Sequence, residues 1–256
     1  MGSSVKRILV TNDDGITAPG LAALYEAMAE LGEVTIIAPD AERSAVGHAI
    51  TTLTPLRVKK VALAGDTSGF AVNGTPADAV RLAILAICTE RPDFVVSGIN
   101  LGPNTATNTI YSGTVSAATE ARILGIPSMA VSLSTFKDPI WDTPAHFARQ
   151  IASEVLTNGL PDKVLLNVNV PNLPLDAVKG IRVTRQGESG YQERFERRSD
   201  PRAEPYYWSA STYRMTDVDE DTDALTVDHG WVSVTPVSFD MTAHDYLPAL
   251  SRRLAR

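Results

Sequence analysis

Short apolar runs alternate with helical patterns through the first two thirds of the chain, and this alternation constrains the fold more than any other feature. The runs are apolar on both faces, as is typical of strands in a parallel sheet that is covered on both sides. They predict strands at residues 8–10, 34–38, 93–97, 128–132 and 164–168. Apolar spacing and capping residues predict helices between them, at residues 21–31, 75–88, 116–124 and 145–156. The pattern predicts an α/β fold with a doubly wound, mainly parallel sheet.

The chain changes character after Pro171. Residues 180–236 are rich in charged, aromatic and turn-forming residues, and valines near their end indicate further strands. We expect residues 1–172 to form the core and residues 173–256 to form a β-rich extension with a short terminal helix over 243–254. The density of aromatic residues favours an extension that packs on a neighbouring subunit or at the rim of a site, with a solvated excursion as the alternative.

The composition excludes several classes of protein. The net charge of −7 argues against a general affinity for polymeric nucleic acid. The single cysteine, Cys88, excludes a disulfide framework and a thiolate metal site, and its apolar neighbours predict a position in the core. No apolar run reaches the roughly 18 residues that a membrane span needs, and charged residues follow the start of the chain at once. We therefore expect a cytoplasmic protein with no membrane partner.

Asp13-Asp14-Gly15 follows the first predicted strand directly. Two carboxylates at the end of a buried strand are costly unless a cation or hydrogen-bond donors compensate them. The nearest basic residues, Lys6 and Arg7, lie at the other end of the strand. The pair therefore indicates a bound metal ion, although a turn with a helix cap would also explain this tripeptide by itself.

Polar residues also follow two other predicted strands. Ser44 lies in the loop after the second strand, and Asn100 and Asn104 follow the strand at 93–97. Since ligands of open α/β sheets bind beyond the carboxyl ends of the strands, we expect these side chains to gather in one crevice. A set made only of oxygen atoms suits Mg²⁺ or Mn²⁺, whereas the four histidines show no zinc-type spacing.

A turn of small residues, Ser112-Gly113-Thr114, leads into the helix predicted at 116–124. Hydroxyl groups and free backbone N–H groups at a helix N-terminus form an anion site. A metal ion beside such a site is the arrangement that phosphoryl transfer needs. Ordinary helix capping would explain the turn alone, so the hypothesis depends on several polar clusters meeting at one edge of the sheet.

Seven strings of the sequence, in order, resemble the SurE (survival protein E) family of nucleotidases. They lie between residue 6 and about residue 242 and read ILVTNDDGI, APG, APDAERSA, NGTPAD, VSGINLGPN, YSGTVSAA and VSVTP. The resemblance implies a Rossmann-like sheet with a C-terminal extension that is used in assembly of a homodimer or homotetramer. It also implies hydrolysis of nucleoside 5′-monophosphates, and further of 3′-monophosphates and short polyphosphate, with a divalent metal.

The resemblance also implies which residues form the site. One Mg²⁺ or Mn²⁺ ion per subunit would be bound by Asp13, Asp14, Ser44 and Asn100. The phosphate of the substrate would be bound by Asn104, Ser112, Gly113 and Thr114. The catalytic residues would be Asp13, Asp14, Asn100 and Ser112.

The favoured mechanism is attack on phosphorus by a water that the metal acidifies, with Asp13 or Asp14 orienting or deprotonating it. A phospho-aspartate intermediate ranks lower, because a carboxylate bound to metal is a poor nucleophile. Two alternative functions are an aspartyl-phosphate-type phosphatase, which would want Asp-x-Asp after a strand, and a nucleotide-binding regulator without turnover. A regulator has no evident use for adjacent carboxylates facing an anionic ligand.

Overall fold

The structure, a computed structural model, describes residues 5–192 and 194–255, and these form thirteen strands and six α-helices. The strands are β1 Arg7–Thr11, β2 Glu33–Pro39, β3 Val58–Ala62, β4 Ser68–Val72, β5 Phe94–Leu101, β6 Ser128–Ser134, β7 Val164–Pro171, β8 Ile181–Val183, β9 Gly190–Gln192, β10 Phe195–Ser199, β11 Pro205–Ser209, β12 Thr212–Arg214 and β13 Val232–Ser238. The helices are α1 Pro19–Ala29, α2 Pro76–Leu82, α3 Gly113–Ile123, α4 Asp142–Asn158, α5 Asp223–Asp228 and α6 Leu247–Leu254.

Nine strands form one sheet in the order β3-β4-β2-β1-β5-β6-β7-β13-β8. The strands from β4 to β7 in this order are parallel, whereas β3 is antiparallel to β4 and β13 is antiparallel to β7. The central strands are buried because helices cover both faces of the sheet: α1 and α4 pack on one face, and α2 and α3 on the other. The predicted α/β fold with a doubly wound, mainly parallel sheet is confirmed.

The five predicted strands and four predicted helices of the first two thirds are all present, with shifted ends. The helix predicted at 75–88 begins with a capping box between Thr75 and Asp78, and it passes at Leu82 into a π-helical turn, Ala83–Ile87. Cys88, predicted in the core, packs against the edge of the core and is only partly buried. The thiol is half-buried just beyond that turn, where the chain leaves the helix.

The C-terminal part of the chain contributes both to the main sheet and to two smaller sheets. Strands β8 and β13 complete the nine-stranded sheet. Antiparallel pairing joins β9 to β12 and β10 to β11, and the β10–β11 hairpin exposes Phe195, Tyr206, Tyr207 and Trp208. The segment that follows Pro171 thus combines strands that finish the core with a hairpin that carries exposed aromatic side chains.

The terminal helix predicted over 243–254 is shorter in the structure. α6 begins at Leu247, and a 3₁₀ turn at His244–Tyr246 precedes it. Across residues 5–192 and 194–255, no helix is both long and apolar enough to cross a membrane.

Candidate active site

The strand order of the main sheet reverses between β1 and β5. Strands β2 and β4 lie on one side of this point, and β6 and β7 lie on the other. β1 and β5 are parallel neighbours, with Thr11 opposite Ser97, so the loops that follow them leave the same edge of the sheet. Such a switch point opens the crevice in which open α/β sheets bind ligands. This crevice lies beyond the carboxyl ends of β1 and β5, where the sequence predicts a site.

A tight turn at the end of β1 presents the two aspartates to this crevice. The side chain of Asn12 accepts a hydrogen bond from the backbone N–H of Gly15 at 3.2 Å and donates one to the carbonyl oxygen of Gly15 at 3.0 Å. Gly15 has a φ of +105°, which a residue with a Cβ atom rarely adopts. Asn12 and Gly15 therefore fix the backbone on either side of Asp13 and Asp14.

Asp13 is buried, with 5% of its surface exposed, and it lies against the N-terminus of α3. The hydroxyl group of Thr114 donates a hydrogen bond of 2.5 Å to Oδ1 of Asp13. A Cβ atom at Gly113 would lie 2.8 Å from both Cβ and Oδ2 of Asp13, so only glycine lets the helix backbone approach this closely. Burial raises the pKa of Asp13, and the hydrogen bond from Thr114 offsets part of this rise.

Asp14 lies beside Asp13 with weaker support. The backbone N–H of Leu101 lies 3.4 Å from Oδ2 of Asp14. Burial, followed by the negative charge of Asp13, raises the pKa of Asp14 to about 6, and the charge of Glu42 raises the pKa of both aspartates. Within residues 5–192 and 194–255, neither aspartate forms an ion pair with a basic side chain.

Asn100 reaches the crevice because β5 is irregular near its end. The register between β5 and β6 shifts between Ser97 and Asn100. Within this irregularity Gly98 has a φ of +143°, and a Cβ atom there would lie 2.3 Å from the carbonyl oxygen of Val131. The amide Nδ2 of Asn100 donates to the carbonyl oxygen of Gly102 at 2.7 Å, which leaves Oδ1 as an acceptor for another group.

Ser44 lies in an exposed loop that touches the aspartate turn. The backbone N–H of Arg43 donates to the carbonyl oxygen of Asp13 at 2.8 Å, so the residue before Ser44 is fixed next to the aspartate pair. The hydroxyl group of Ser44 donates to Oε1 of Glu42 at 2.6 Å. Binding of a cation by the Ser44 oxygen would add to this bond without competing for the same lone pairs.

Ser112 is the N-cap of α3. Its Oγ accepts a hydrogen bond from the backbone N–H of Val115 at 3.1 Å, and the residue is buried. The first N–H groups of a helix have no partner within that helix, so the turn from Ser112 to Thr114 directs donors toward the space around Asp13. The hydroxyl group of Thr114 is engaged by Asp13, and a hydrogen bond from the Thr114 backbone also lowers the pKa of that carboxylate.

Asn104 lies in a buried polar network that links β5 to the neighbouring strands. Its Nδ2 donates to the hydroxyl group of Ser132 at 2.8 Å, and its backbone N–H donates to Oδ1 of Asn169 at 2.8 Å. Its carbonyl oxygen accepts from the side chains of Asn167 at 2.7 Å and Asn169 at 3.2 Å. The network fixes the loop that leads from β5 toward Ser112.

The residues present fit a hard divalent cation. The site offers two carboxylates without a basic partner, a free amide oxygen of Asn100 and the hydroxyl oxygen of Ser44, all of them oxygen donors. In the described part of the chain, no three or more His, Cys, Asp or Glu residues are grouped as a metal site. A cation here would consequently depend on the neutral oxygens of Asn100 and Ser44 as well as on the aspartate pair.

Two features of the site were missed by sequence reasoning. Glu42 lies close enough to raise the pKa of both aspartates, and its place two residues before Ser44 was the available signal. The bond from Thr114 to Asp13 joins residues 101 positions apart, and no local pattern predicts it.

A cavity of about 900 Å³ adjoins the turn that carries Ser112. One wall is the 3₁₀ helix Ala106–Tyr111, and the other is formed by β9, β12 and their neighbours. Its polar lining includes Asn108, Gln192 and Arg214, and Tyr111 supplies an aromatic ring that is 60% exposed. The cavity can hold a polar, planar organic group next to an anion bound at Ser112.

A protein-family model described as "Survival protein SurE" matches residues 8–193 of the chain. A protein of Syntrophobacter fumaroxidans described as "5'-nucleotidase SurE" is 48% identical over 246 residues, which cover 96% of this chain and 98% of the relative. A protein of the same description from Symbiobacterium thermophilum is 48% identical and covers 95% of this chain and 96% of the relative.

A solved structure gives the same result at the level of the fold. The crystal structure of a SurE protein from Aquifex aeolicus superimposes with a TM-score of 0.85. The match covers 97% of this chain and 99% of that chain, at 41% sequence identity.

Proposed function

The chain belongs to the SurE family, and we propose that it is a metal-dependent 5′-nucleotidase that hydrolyses nucleoside monophosphates to nucleoside and phosphate. The observation that supports this best is the aspartate pair at the switch point of the sheet, which has no basic partner among the described residues and of which the buried member, Asp13, lies against the N-terminus of α3. The relatives described as 5′-nucleotidases match nearly the full length of the chain. An aspartyl-phosphate-type phosphatase and a regulator without turnover are not favoured.

We propose that Asp13, Asp14, Ser44 and Asn100 bind one Mg²⁺ or Mn²⁺ ion per subunit. The two aspartates supply the negative charge, and Asn100 contributes the oxygen that its bond to Gly102 leaves free. When bound, the cation polarises the phosphate and acidifies water. A positive charge here would compensate the burial of Asp14 and the repulsion from Asp13, which together raise the pKa of Asp14.

The phosphate of the substrate is proposed to lie between this pair and the N-terminus of α3. Ser112, Gly113 and Thr114 form the N-terminal turn of this helix, and the helix dipole favours an anion there. Asn104 supports this loop from its buried network. Charge that develops on the phosphate oxygens in the transition state would be stabilised by this fixed helix N-terminus.

Asp14 is the aspartate that we propose orients the attacking water and accepts its proton. Oδ1 of Asp13 is engaged by the hydroxyl group of Thr114 at 2.5 Å, whereas the hydrogen bond from Leu101 to the Asp14 side chain is long at 3.4 Å. Asp14 is also the more exposed of the two. Its carboxylate is therefore freer to exchange partners during the reaction.

The nucleoside is proposed to lie in the cavity of about 900 Å³ beside Ser112. The ring of Tyr111 offers a stacking surface for the base, and Asn108 and Arg214 offer hydrogen-bonding groups. Tyr111 directly precedes Ser112, so a base stacked on its ring would be close to a phosphate held at the N-terminus of α3.

We also propose a homodimer or homotetramer that acts in the cytoplasm, with residues 1–172 carrying the chemistry and residues 173–256 contributing to assembly. The support is the β10–β11 hairpin, whose aromatic side chains lie 40% to 65% exposed in the isolated chain. Light scattering of the intact protein, with Tyr207→Ser/Trp208→Ser as the variant, tests this. If the variant formed an assembly of the same mass as that of the parent protein, the proposed role of the hairpin would be contradicted.

Phosphate release from a panel of nucleotides tests the function. The protein is treated with EDTA and assayed again after Mg²⁺ or Mn²⁺ is restored, with nucleoside 5′-monophosphates, 3′-monophosphates and short polyphosphate as substrates. We expect activity that requires metal and that is abolished by Asp13→Asn and by Asp14→Asn in folded protein. Turnover that persists without metal would contradict the proposal, and tight nucleotide binding without release would support a regulator.

A further inference from the structure

Glu120 is a buried carboxylate on α3 to which the proposed mechanism gives no role. Its side chain is only 4% exposed, and both of its oxygens have a partner. Nε2 of His48 lies 2.7 Å from Oε2, and Nη1 of Arg81 lies 2.7 Å from Oε1. Burial disfavours the charged carboxylate, but the bonds from His48 and Arg81 outweigh it and hold the pKa of Glu120 below its ordinary value. The ionised carboxylate can only accept, so Nε2 of His48 is the donor.

His48 belongs to the loop that carries Ser44. Between β2 and β3, over residues 40–57, this loop contains neither helix nor strand, so contacts with other parts of the chain determine its position. Near Ser44 these are the bond from the Arg43 N–H to Asp13, one of 3.0 Å from the Gly47 N–H to the carbonyl oxygen of Tyr111, and the bond from His48 to Glu120. Just beyond His48, the hydroxyl group of Thr75 donates to the carbonyl oxygen of Ala49 at 2.7 Å, and Thr51 donates to Asp78 from its backbone N–H at 2.9 Å and from its hydroxyl group at 2.6 Å.

The loop also adopts a backbone conformation that needs support. Ala45, directly after Ser44, has a φ of +56°, in the left-handed region that residues with a Cβ atom rarely adopt. Such a conformation is disfavoured for a residue with a Cβ atom and persists where surrounding contacts hold it. The bond from His48 lies three residues beyond Ala45, nearer to it than the side-chain bond from Thr51 to Asp78.

The same helix also fixes the other side of the metal site. Gly113 and Thr114, in the first turn of α3, hold Asp13. Glu120 lies seven residues after Gly113, which is about two helical turns, and so faces nearly the same direction. Through Glu120 and His48, α3 contacts the Ser44 loop as well as Asp13, in addition to the direct bond from the Arg43 N–H to Asp13.

We propose that His48, held by Glu120, is a positioning residue that keeps the Ser44 loop in place for metal binding. This inference rests on the proposed function, because it assigns Ser44 to the metal site. His48 does not touch the metal or the substrate in this scheme. Its loss should weaken metal binding and should leave the chemical step unchanged once metal is saturating.

The test measures Mn²⁺ binding to the intact metal-free protein by the electron paramagnetic resonance signal of free Mn²⁺, together with kcat at saturating Mn²⁺. For His48→Ala we expect a dissociation constant for Mn²⁺ raised about tenfold, the lower end of what a positioning group around a metal contributes. The value of kcat should stay within about twofold of the parent. His48→Gln, which keeps an N–H donor, should recover most of the affinity.

Arg81→Ala is the matched control. Arg81 bonds the other oxygen of Glu120 but lies on α2 rather than on the Ser44 loop. This variant should therefore bind Mn²⁺ like the parent protein. Circular dichroism and the midpoint of thermal unfolding would show that each variant is folded.

Three results separate the outcomes. Parent-like Mn²⁺ affinity in His48→Ala overturns the positioning role. A loss of Mn²⁺ affinity in Arg81→Ala equal to that in His48→Ala overturns it too, because Glu120 then serves only the stability of α3. A parent protein that does not bind Mn²⁺ overturns the proposed function together with this inference.

Discussion

The hydroxyl group of Thr114 donates a hydrogen bond of 2.5 Å to the carboxylate of Asp13, a residue 101 positions earlier in the chain. Both residues are buried, and the bond joins the end of β1 to the first turn of α3. A buried carboxylate needs such a donor, because desolvation otherwise destabilises its charge. The proposed metal site and the proposed phosphate site are therefore linked directly by one pair of side chains.

Removal of this donor should destabilise the metal-free protein. Thr114→Val keeps the shape of the side chain but leaves Oδ1 of Asp13 without its partner, so we expect the free energy of unfolding to fall by about 1–3 kcal/mol. Urea unfolding at pH 7 in EDTA measures this. Thr119→Val is the matched control on the same helix, since the hydroxyl group of Thr119 bonds only the carbonyl oxygen of Val115, and it should cost about 0.5 kcal/mol or less. Equal effects of the two substitutions would contradict the prediction.

Replacement of one charge in the aspartate pair should stabilise the metal-free protein at neutral pH. The pKa of Asp14, about 6 in the folded chain, lies above its ordinary value. Between about pH 4 and about pH 6 the folded protein therefore retains a proton that the unfolded chain has lost. The associated stability is fully present below about pH 4 and is lost as the pH rises through about 6. Asp14→Asn removes this loss. The free energy of unfolding of the variant, relative to that of the parent protein, should therefore be about 1–2 kcal/mol higher at pH 7 than at pH 4.

Urea unfolding of the parent protein and of Asp14→Asn at several pH values between 4 and 7.5, with EDTA present, measures this gain. Asp66→Asn, which removes a carboxylate at an exposed position, is the control and should change the free energy of unfolding by about 0.5 kcal/mol or less. A gain in Asp14→Asn that is independent of pH would show that the charge of Asp14 is not its cause.

Metal binding should become stronger as the pH rises. Protons compete with the cation for Asp13 and Asp14, and burial raises the pKa of both carboxylates. A cation that binds only the folded state also raises the unfolding temperature. We therefore expect Mn²⁺ to raise this temperature more at pH 7.5 than at pH 5, as measured by differential scanning fluorimetry. The shift should nearly disappear in Asp14→Asn, and equal shifts at both pH values would be inconsistent with the aspartates as ligands.

The close approach of α3 to Asp13 should be intolerant of a side chain at Gly113. The new Cβ atom of Gly113→Ala would lie 2.8 Å from Asp13, so the carboxylate or the helix must move. Displacement of a reacting group by a fraction of an ångström lowers kcat by about tenfold to a hundredfold. Steady-state kinetics with a nucleoside monophosphate measures the effect, and circular dichroism should show an intact fold. Parent-like kcat would show that the contact has no role in the reaction.

The sequence predicts the parts of the fold that depend on local pattern. Strand β1 is apolar on both faces and was predicted, whereas β3, with the sequence Val-Lys-Lys-Val-Ala, was missed. β3 lies at the edge of the sheet with most of its residues exposed, so neither an apolar run nor a regular alternation marks it. The edge of the sheet is where burial, and with it the sequence signal, is weakest.

Local sequence also predicts the position of the site better than the contacts inside it. Asp13 and Asp14 stand out because charges at the end of a buried strand need compensation. The position of Asn100 depends on a register shift in β5, and the bonds of Thr114 and His48 depend on side chains that meet only after α3 packs on the sheet. Contacts between residues so far apart in the sequence are a consequence of packing, and no spacing rule predicts them.

The pairing of β13 with β7 has a consequence for synthesis of the chain. All the residues proposed to bind the metal and the phosphate lie between Asp13 and Thr114, yet the strand that covers the far edge of β7 begins only at Val232. A ribosome that has completed the site must still translate more than a hundred residues before this edge is closed. Until then β7 exposes unpaired backbone groups to other nascent chains, so this edge is where misassembly during translation would begin.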